Sequence, residues 1–143
     1  MEYIDDNKLN LRLYIALNRC QQTVLKKSQE TLKKNNLTVS QFDVLEILYY
    51  MGDLKVGEII ERSLSTIGNI SLVIDNLVKL SLVEKKKGEK DRRITYVSLT
   101  EKGRKKIEKV LPERLGDLDR IMEPLEAKDK RNLIMLLQKL GLN

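Results

Sequence analysis

The sequence has no histidine, no tryptophan and a single cysteine, Cys20. One cysteine cannot form a disulfide within the chain, which favours a reducing compartment such as the cytoplasm. The lack of histidine removes the most common general base of enzymes and the usual ligand of transition metals. Neither a glycine-rich phosphate loop nor a nucleophile elbow is present. We therefore expect no enzymatic activity, no catalytic residue, no metal and no cofactor.

Other absences favour a helical protein without a membrane anchor. Proline occurs twice and glycine seven times in 143 residues, so long stretches contain no helix breaker. No run of about 18 apolar residues could span a membrane, and the start of the chain, MEYIDDNKLN, is too acidic and polar for a signal peptide. With 41% hydrophobic residues, the chain has the length and composition of one domain with a packed core.

Positive charge is concentrated in one segment. The net charge is +6, but residues 85–109 contain eleven basic and four acidic side chains, so the rest of the chain sums to −1. Charge localised in this way indicates an anionic partner, and nucleic acid is the most common one. Composition alone leaves open the alternative of a solvated, lysine-rich face.

Apolar residues recur at helical spacing over most of the chain, and two short segments alternate as strands do. The second helix has two competing N-caps, Ser40 with Asp43 and Thr38 with Gln41, and Gly52 is expected to end it. Ile59 and Ile60 are expected to point inward from a short third helix. The pattern predicts helices over about residues 7–34, 40–52, 57–62, 66–80, 101–124 and 127–140. Residues 54–56 are too few for more than an edge strand, and the strands of a hairpin are expected at 82–87 and 94–99.

The helices at 57–62 and 66–80 are joined by a three-residue turn, as in a helix-turn-helix motif. The second of the two begins with small and polar side chains, which suit a helix whose first turn enters the DNA major groove. A solvated helix face would have the same composition. The predicted DNA-binding residues of this recognition helix are Ser65, Thr66, Gly68, Asn69 and Ser71.

A basic hairpin follows the recognition helix. A narrow minor groove concentrates negative potential and favours an arginine at the hairpin tip. Asp91 lies two residues before Arg93 and can hold its guanidinium, although an incidental surface ion pair is the alternative. The predicted DNA-binding residues of this wing are Lys87, Lys90, Asp91, Arg92 and Arg93. Together the motifs predict a mainly α protein with a small β-hairpin, a winged helix-turn-helix.

Three segments, in the right order, resemble the multiple antibiotic resistance regulator (MarR-type) family. They are LTVSQFDVLEIL at 37–48, GNISLVIDNLVKLSLVEKK at 68–86 and DRRITYVSLTEKG at 91–103, the last of which is similar to the wing signature Asp-x-Arg…Leu-Thr-x-x-Gly. Ser81 is a departure, because the family often has glycine there. The resemblance implies a homodimer, usually a repressor, that binds a pseudo-palindromic operator with Arg93 in the minor groove and Asp91 orienting it.

The resemblance also implies a division of the chain. Residues 1–143 would form a single MarR-type domain, with a DNA-binding winged helix-turn-helix lobe at 37–100. The leucine-striped segments 1–36 and 101–143 would form a helical dimerisation region. The stripes leave open the alternative that the terminal helices pack on each other within one subunit.

The family commonly responds to small phenolic or lipophilic effectors, bound between the dimer helices and the DNA-binding lobe. Tyr14, Tyr49 and Tyr50 could line such a cleft or belong to the core. Cys20 is the possible redox residue, but the pattern of the peroxide-sensing branch would place a reactive cysteine near Leu11. The sequence thus predicts a sequence-specific transcriptional regulator that binds double-stranded DNA and is released by a small-molecule or redox signal. The alternatives are a DNA-independent protein-interaction module, such as an anti-repressor, and a non-specific DNA-coating protein.

Overall fold

The computed structural model describes residues 6–63 and 69–141, with side chains from Lys8 onward. Its elements confirm the predicted fold class, which is mainly helical with a small sheet. None of the described helices is long and apolar enough to cross a membrane. In chain order the elements are α1 (Asp6–Lys34), α2 (Val39–Met51), β1 (Leu54–Lys55), α3 (Val56–Arg62), α4 (Ile70–Lys79), β2 (Val83–Lys87), β3 (Thr95–Leu99), α5 (Glu101–Met122) and α6 (Ala127–Lys139).

Helix α2 begins with a capping box. The Thr38 hydroxyl accepts a hydrogen bond from the Gln41 backbone N–H at 3.1 Å, and the Gln41 side chain accepts one from the Thr38 N–H at 3.0 Å. Of the two predicted caps, Thr38 is therefore the correct one, and Ser40 lies inside the helix. The helix ends at Gly52 as predicted, where the backbone has a φ of 79°.

The described part of α4 is shorter than predicted. The helix begins at Ile70 rather than near Thr66, because Asn69 has an extended backbone and its side-chain oxygen accepts the Leu72 N–H at 3.3 Å. Asparagine is among the best N-caps, since its side chain satisfies a free N–H of the first turn. In α3, Ile59 is fully buried but Ile60 is 50% exposed, so the prediction that both point inward is wrong.

Helix α4 ends in a turn that glycine would normally occupy. Ser81 has a φ of 58°; its N–H bonds to the Val78 carbonyl and the Leu82 N–H bonds to the Leu77 carbonyl. This pair of hydrogen bonds defines a Schellman motif. The left-handed conformation costs an L-residue about 1–2 kcal/mol. Ser81 therefore forms, at this cost, a turn in which glycine is the usual residue.

The sheet is antiparallel and three-stranded, in the order β1-β3-β2. Val83 pairs with Leu99 at the base of the β2–β3 hairpin, and the last pair before the tip is Lys87 with Thr95. The predicted edge strand is β1, which pairs with β3. Val97 and Ser98 point to opposite faces of β3 and both are buried, so β3 has buried side chains on both of its faces.

The start of α5 lies against the turn that follows α4. Thr100 caps α5: its hydroxyl accepts the Gly103 N–H at 3.0 Å and donates to the Ser81 carbonyl at 2.7 Å. A Cβ atom on Gly103 would lie 1.9 Å from the Leu82 carbonyl oxygen. The Leu-Thr-x-x-Gly part of the sequence signature therefore has a structural cause, because no larger residue fits at this approach.

The chain forms two compact units, residues 29–114 and residues 1–28 with 115–143. The first unit contains the sheet and a core that includes Leu45, Ile74 and Ile107, all fully buried. In the described part of the second unit, Ser28 and Asp117 are the only buried residues. Its exposed large apolar side chains are Leu9, Leu11, Leu13, Tyr14, Ile15, Leu115, Leu133, Ile134, Met135, Leu136 and Leu140. The predicted boundaries of the DNA-binding lobe and the dimerisation region stay predictions.

Candidate nucleic-acid interface

The tip of the β2–β3 hairpin is a closed turn. The Gly88 N–H donates to the Ile94 carbonyl at 2.9 Å, and the Ile94 N–H donates to the Asp91 carbonyl at 3.1 Å. A Cβ atom on Gly88 would lie 2.6 Å from the Asp91 carbonyl oxygen. Glycine at this position therefore allows the chain to fold back on itself and present residues 89–93 at the tip.

Asp91 holds Arg93 through three hydrogen bonds. Its carboxylate accepts the Arg93 backbone N–H at 3.0 Å, the Nε–H at 3.1 Å and a terminal guanidinium N–H at 3.1 Å. These bonds from Arg93 lower the pKa of Asp91, and the side-chain bond to Asp91 raises the pKa of Arg93. The Arg93 side chain nevertheless stays 92% exposed. The guanidinium is thus fixed in direction while its remaining N–H groups face solvent.

The other basic residues of the wing differ in the hydrogen bonds that they form. The Lys87 ammonium donates to the Thr95 hydroxyl at 3.0 Å across the hairpin. Lys90 and Arg92 are exposed, and neither forms an ion pair or hydrogen bond within the described residues. Their charge is therefore available to an external anion.

Two lysines of β2 form ion pairs with nearby carboxylates. Lys85 lies 2.6 Å from Asp75 of α4. Lys86 lies 3.0 Å from Glu84, and the hydrogen bond to Glu84 raises the pKa of Lys86. The sequence pattern did not indicate either pair. Within the described residues, the hairpin cations without a carboxylate partner are therefore Lys87 at the end of β2 and Lys90 and Arg92 at the tip.

The described start of α4 exposes two of the five residues predicted for the recognition helix. Asn69 caps the helix with its side-chain oxygen, which leaves its amide N–H groups as donors, and Ser71 is exposed in the first turn. Ser65, Thr66 and Gly68 lie outside the described residues. Sequence reasoning missed Leu72, which is 56% exposed beside Ser71. Leu72 does not fit the apolar stripe of α4 in the sequence, and this misfit could have indicated that its side chain is exposed.

The end of α3 is tied to α2 immediately before this region. The Ser63 hydroxyl donates to the carboxylate of Asp43, and the Ser63 N–H closes α3 on the Ile59 carbonyl. Asp43 is buried. The partial burial of Glu46 and the negative charge of the neighbouring Asp43 raise the pKa of Glu46. The contact fixes the point at which the chain leaves α3 toward α4.

The candidate sensor residues lie in different surroundings. Cys20 is exposed on α1. Tyr49 packs against the core, with the Arg104 guanidinium 5.6 Å from its ring centre. Tyr14 and Tyr50 are exposed. Of the three tyrosines, Tyr49 therefore has the core position that was one of the two predicted alternatives.

Comparison with known proteins gives consistent matches. The model of the MarR family matches residues 37–95, which include α2, α3, α4, β2 and the hairpin tip. The chain is 29% identical to the transcriptional regulator MhqR of Bacillus subtilis, covering 94% of this chain and 92% of the relative. It is 30% identical to the transcriptional repressor MdtR of the same organism, covering 90% and 83%.

A solved structure matches the fold at lower identity. It is the organohalide-sensing transcriptional regulator RdhR-CbdbA1625 in its 2,4-dichlorophenol-bound form. The superposition has a TM-score of 0.83 and a sequence identity of 19%, and it covers 97% of this chain and 81% of that one. At this identity the match supports the fold alone.

Proposed function

Because the chain belongs to the MarR family of transcriptional regulators, we propose that it is a sequence-specific repressor that binds double-stranded DNA in the cytoplasm as a homodimer. Its operator is pseudo-palindromic, and a small-molecule or redox signal releases it. The observation that most supports this function is the hydrogen-bonded pair of Asp91 and Arg93 at the wing tip. A guanidinium that is ordered before binding loses less side-chain entropy when it enters a groove.

The two predicted contact regions have complementary roles. In this proposal the first turn of α4, with Asn69 and Ser71, enters the major groove. Arg93 enters the adjacent minor groove, where negative potential is concentrated. Lys90 and Arg92 contact phosphates, which position the protein without reporting the sequence. The protein has no enzymatic activity in this proposal.

The exposed apolar side chains of the second unit support a homodimer, since water-exposed leucines in such number mark an interface. Two-fold symmetry would place two recognition helices about 34 Å apart, one turn of DNA. In sedimentation experiments we expect a dimer for the wild type and a monomer for the double variant Leu133→Lys, Leu136→Lys. The matched variant Asn132→Lys, Gln138→Lys adds the same charge at exposed polar positions and should stay dimeric. A monomeric wild type would contradict this part of the proposal.

We also propose that the signal is a small phenolic or lipophilic molecule. The structurally similar RdhR-CbdbA1625 is described as organohalide-sensing and was solved with 2,4-dichlorophenol, which supports testing this ligand class. Titrating 2,4-dichlorophenol into the protein–DNA complex should release the DNA. Peroxide treatment tests the redox alternative. Unchanged DNA affinity after peroxide treatment, with the Cys20 thiol still titratable, would exclude that alternative.

The proposed function is tested by binding to a fluorescent duplex from the region upstream of the protein's own gene, measured by anisotropy against a scrambled duplex. We expect tight binding to the native duplex alone, falling steeply with salt as counterions are released. Equal binding to both duplexes would favour the non-specific DNA-coating protein. No binding to either at low salt would favour the DNA-independent interaction module.

A further inference from the structure

Leu72 is an exposed apolar side chain on the polar face of α4. It is 56% exposed. It lies three residues after Asn69 and three and four residues before Asp75 and Asn76, so these exposed side chains share one helix face. The buried residues of α4, which lie on the other face, are Ile70, Ile74 and Leu77. A single exposed leucine is ordinary, but its position on this face needs an explanation.

Leu72 also lies in the first turn of α4. The Leu72 N–H donates to the side-chain oxygen of the N-cap residue Asn69. Because the helix begins at Ile70, Leu72 is its third residue. Side chains of a helix point toward its N-terminus. In the proposed function the N-terminal turn of α4 faces the base edges in the major groove. If α4 binds in this way, the Leu72 side chain points toward the bases.

The chemistry of the major groove limits what a leucine can contact there. Leucine has no hydrogen-bonding group, and every base edge in this groove presents donors or acceptors apart from one apolar group, the C5-methyl of thymine. Contact with guanine or cytosine would remove water from polar groups without replacing their hydrogen bonds. Starting from the proposed function, we propose that Leu72 contacts a thymine methyl group in each operator half-site and is a specificity-determining residue.

The neighbours of Leu72 are compatible with this contact. Ser71 and the amide of Asn69 can donate or accept hydrogen bonds beside it. Asp75, one turn further on, has its carboxylate 2.6 Å from the Lys85 ammonium, so its charge is compensated near the DNA. The charge of the face therefore does not oppose the approach of a duplex to Leu72.

The test uses the full-length chain and the tightest duplex that it selects from a random-sequence library. Thymines of that duplex are replaced one pair of half-site positions at a time by deoxyuridine, which removes only the methyl group. Affinities are measured for the wild type, Leu72→Ala and the control Leu80→Ala. Leu80 is 44% exposed and lies eight residues further along, about 12 Å along the helix axis. It therefore controls for loss of an exposed leucine away from the groove.

We expect one thymine position whose replacement weakens the wild type about fourfold per half-site, the effect of one methyl group removed from contact. Leu80→Ala should show the same loss, whereas Leu72→Ala should bind the thymine and deoxyuridine duplexes equally. If no thymine methyl matters, or if Leu72→Ala keeps the full dependence, the inference is wrong while the proposed function stands. If selection enriches no sequence, site-specific binding fails and the role of Leu72 fails with it.

Discussion

Replacing Gly103 by alanine is expected to destabilise the fold by about 2–3 kcal/mol. The added Cβ atom would lie 1.9 Å from the Leu82 carbonyl oxygen, whereas ordinary contacts begin at 3.4 Å, so one backbone segment must move by about 1.5 Å. The clash is with a backbone oxygen, so no flexible side chain can rotate away to relieve it. The substitution therefore has to separate the start of α5 from the turn after α4.

Three hydrogen bonds resist that movement. The Thr100 N–H bonds to the Leu82 carbonyl at 3.2 Å, and the Thr100 hydroxyl bonds to the Ser81 carbonyl at 2.7 Å. Lys102 donates to the Leu80 carbonyl at 2.9 Å. At about 1 kcal/mol each their loss costs about 3 kcal/mol. The higher helix propensity of alanine returns up to about 1 kcal/mol, which gives the lower end of the estimate.

The assay is urea unfolding followed by far-ultraviolet circular dichroism, at one protein concentration because the stability of the proposed dimer would depend on that concentration. Gly57→Ala is the matched control. Gly57 also lies in a helix, and a Cβ atom there meets nothing within 4 Å. It should be neutral or stabilising by up to about 1 kcal/mol. Wild-type stability in Gly103→Ala would refute the steric argument.

Five further substitutions test three other local features. Ser81→Gly should be more stable than Ser81→Ala by about 1–2 kcal/mol in the same assay, because only glycine adopts this φ without strain; equal stability would contradict that. Thr38→Ala should cost about 1 kcal/mol and Ser40→Ala less, since Thr38 is the cap; the reverse order would show that Ser40 caps α2. Glu46→Gln should raise the urea midpoint at neutral pH, where burial and Asp43 oppose the ionised carboxyl. This advantage should shrink as pH falls through the raised folded-state pKa and vanish below the ordinary value of 4.5; a pH-independent difference would exclude this cause.

The features that sequence predicted well are those with local causes. The bounds of α1 and α6 follow from apolar periodicity, and the end of α2 follows from Gly52. The contact between Asp91 and Arg93 follows from their two-residue spacing in a tight turn. Its role in DNA binding stays a prediction. Local periodicity and turn chemistry act within a few residues, so a single sequence contains the information.

The features that sequence missed depend on contacts between elements. The pairing of Lys85 with Asp75 joins β2 to α4, and the reason for Gly103 lies in a carbonyl group of a different turn. Ile60 follows a buried isoleucine in a seven-residue helix, where composition does not determine which of two neighbours faces inward. Leu72 was missed because an apolar side chain was not expected on the polar face of α4.

The most direct test of the central claim is the effect of Arg93→Ala on binding to the preferred duplex. We expect the affinity to fall by about 1–3 kcal/mol, a factor of roughly 5 to 150. Arg131→Ala, at an exposed position on α6, removes the same charge and should bind as the wild type does. If Arg93→Ala binds with wild-type affinity, or no more weakly than Arg131→Ala, the wing does not contact DNA in the proposed way.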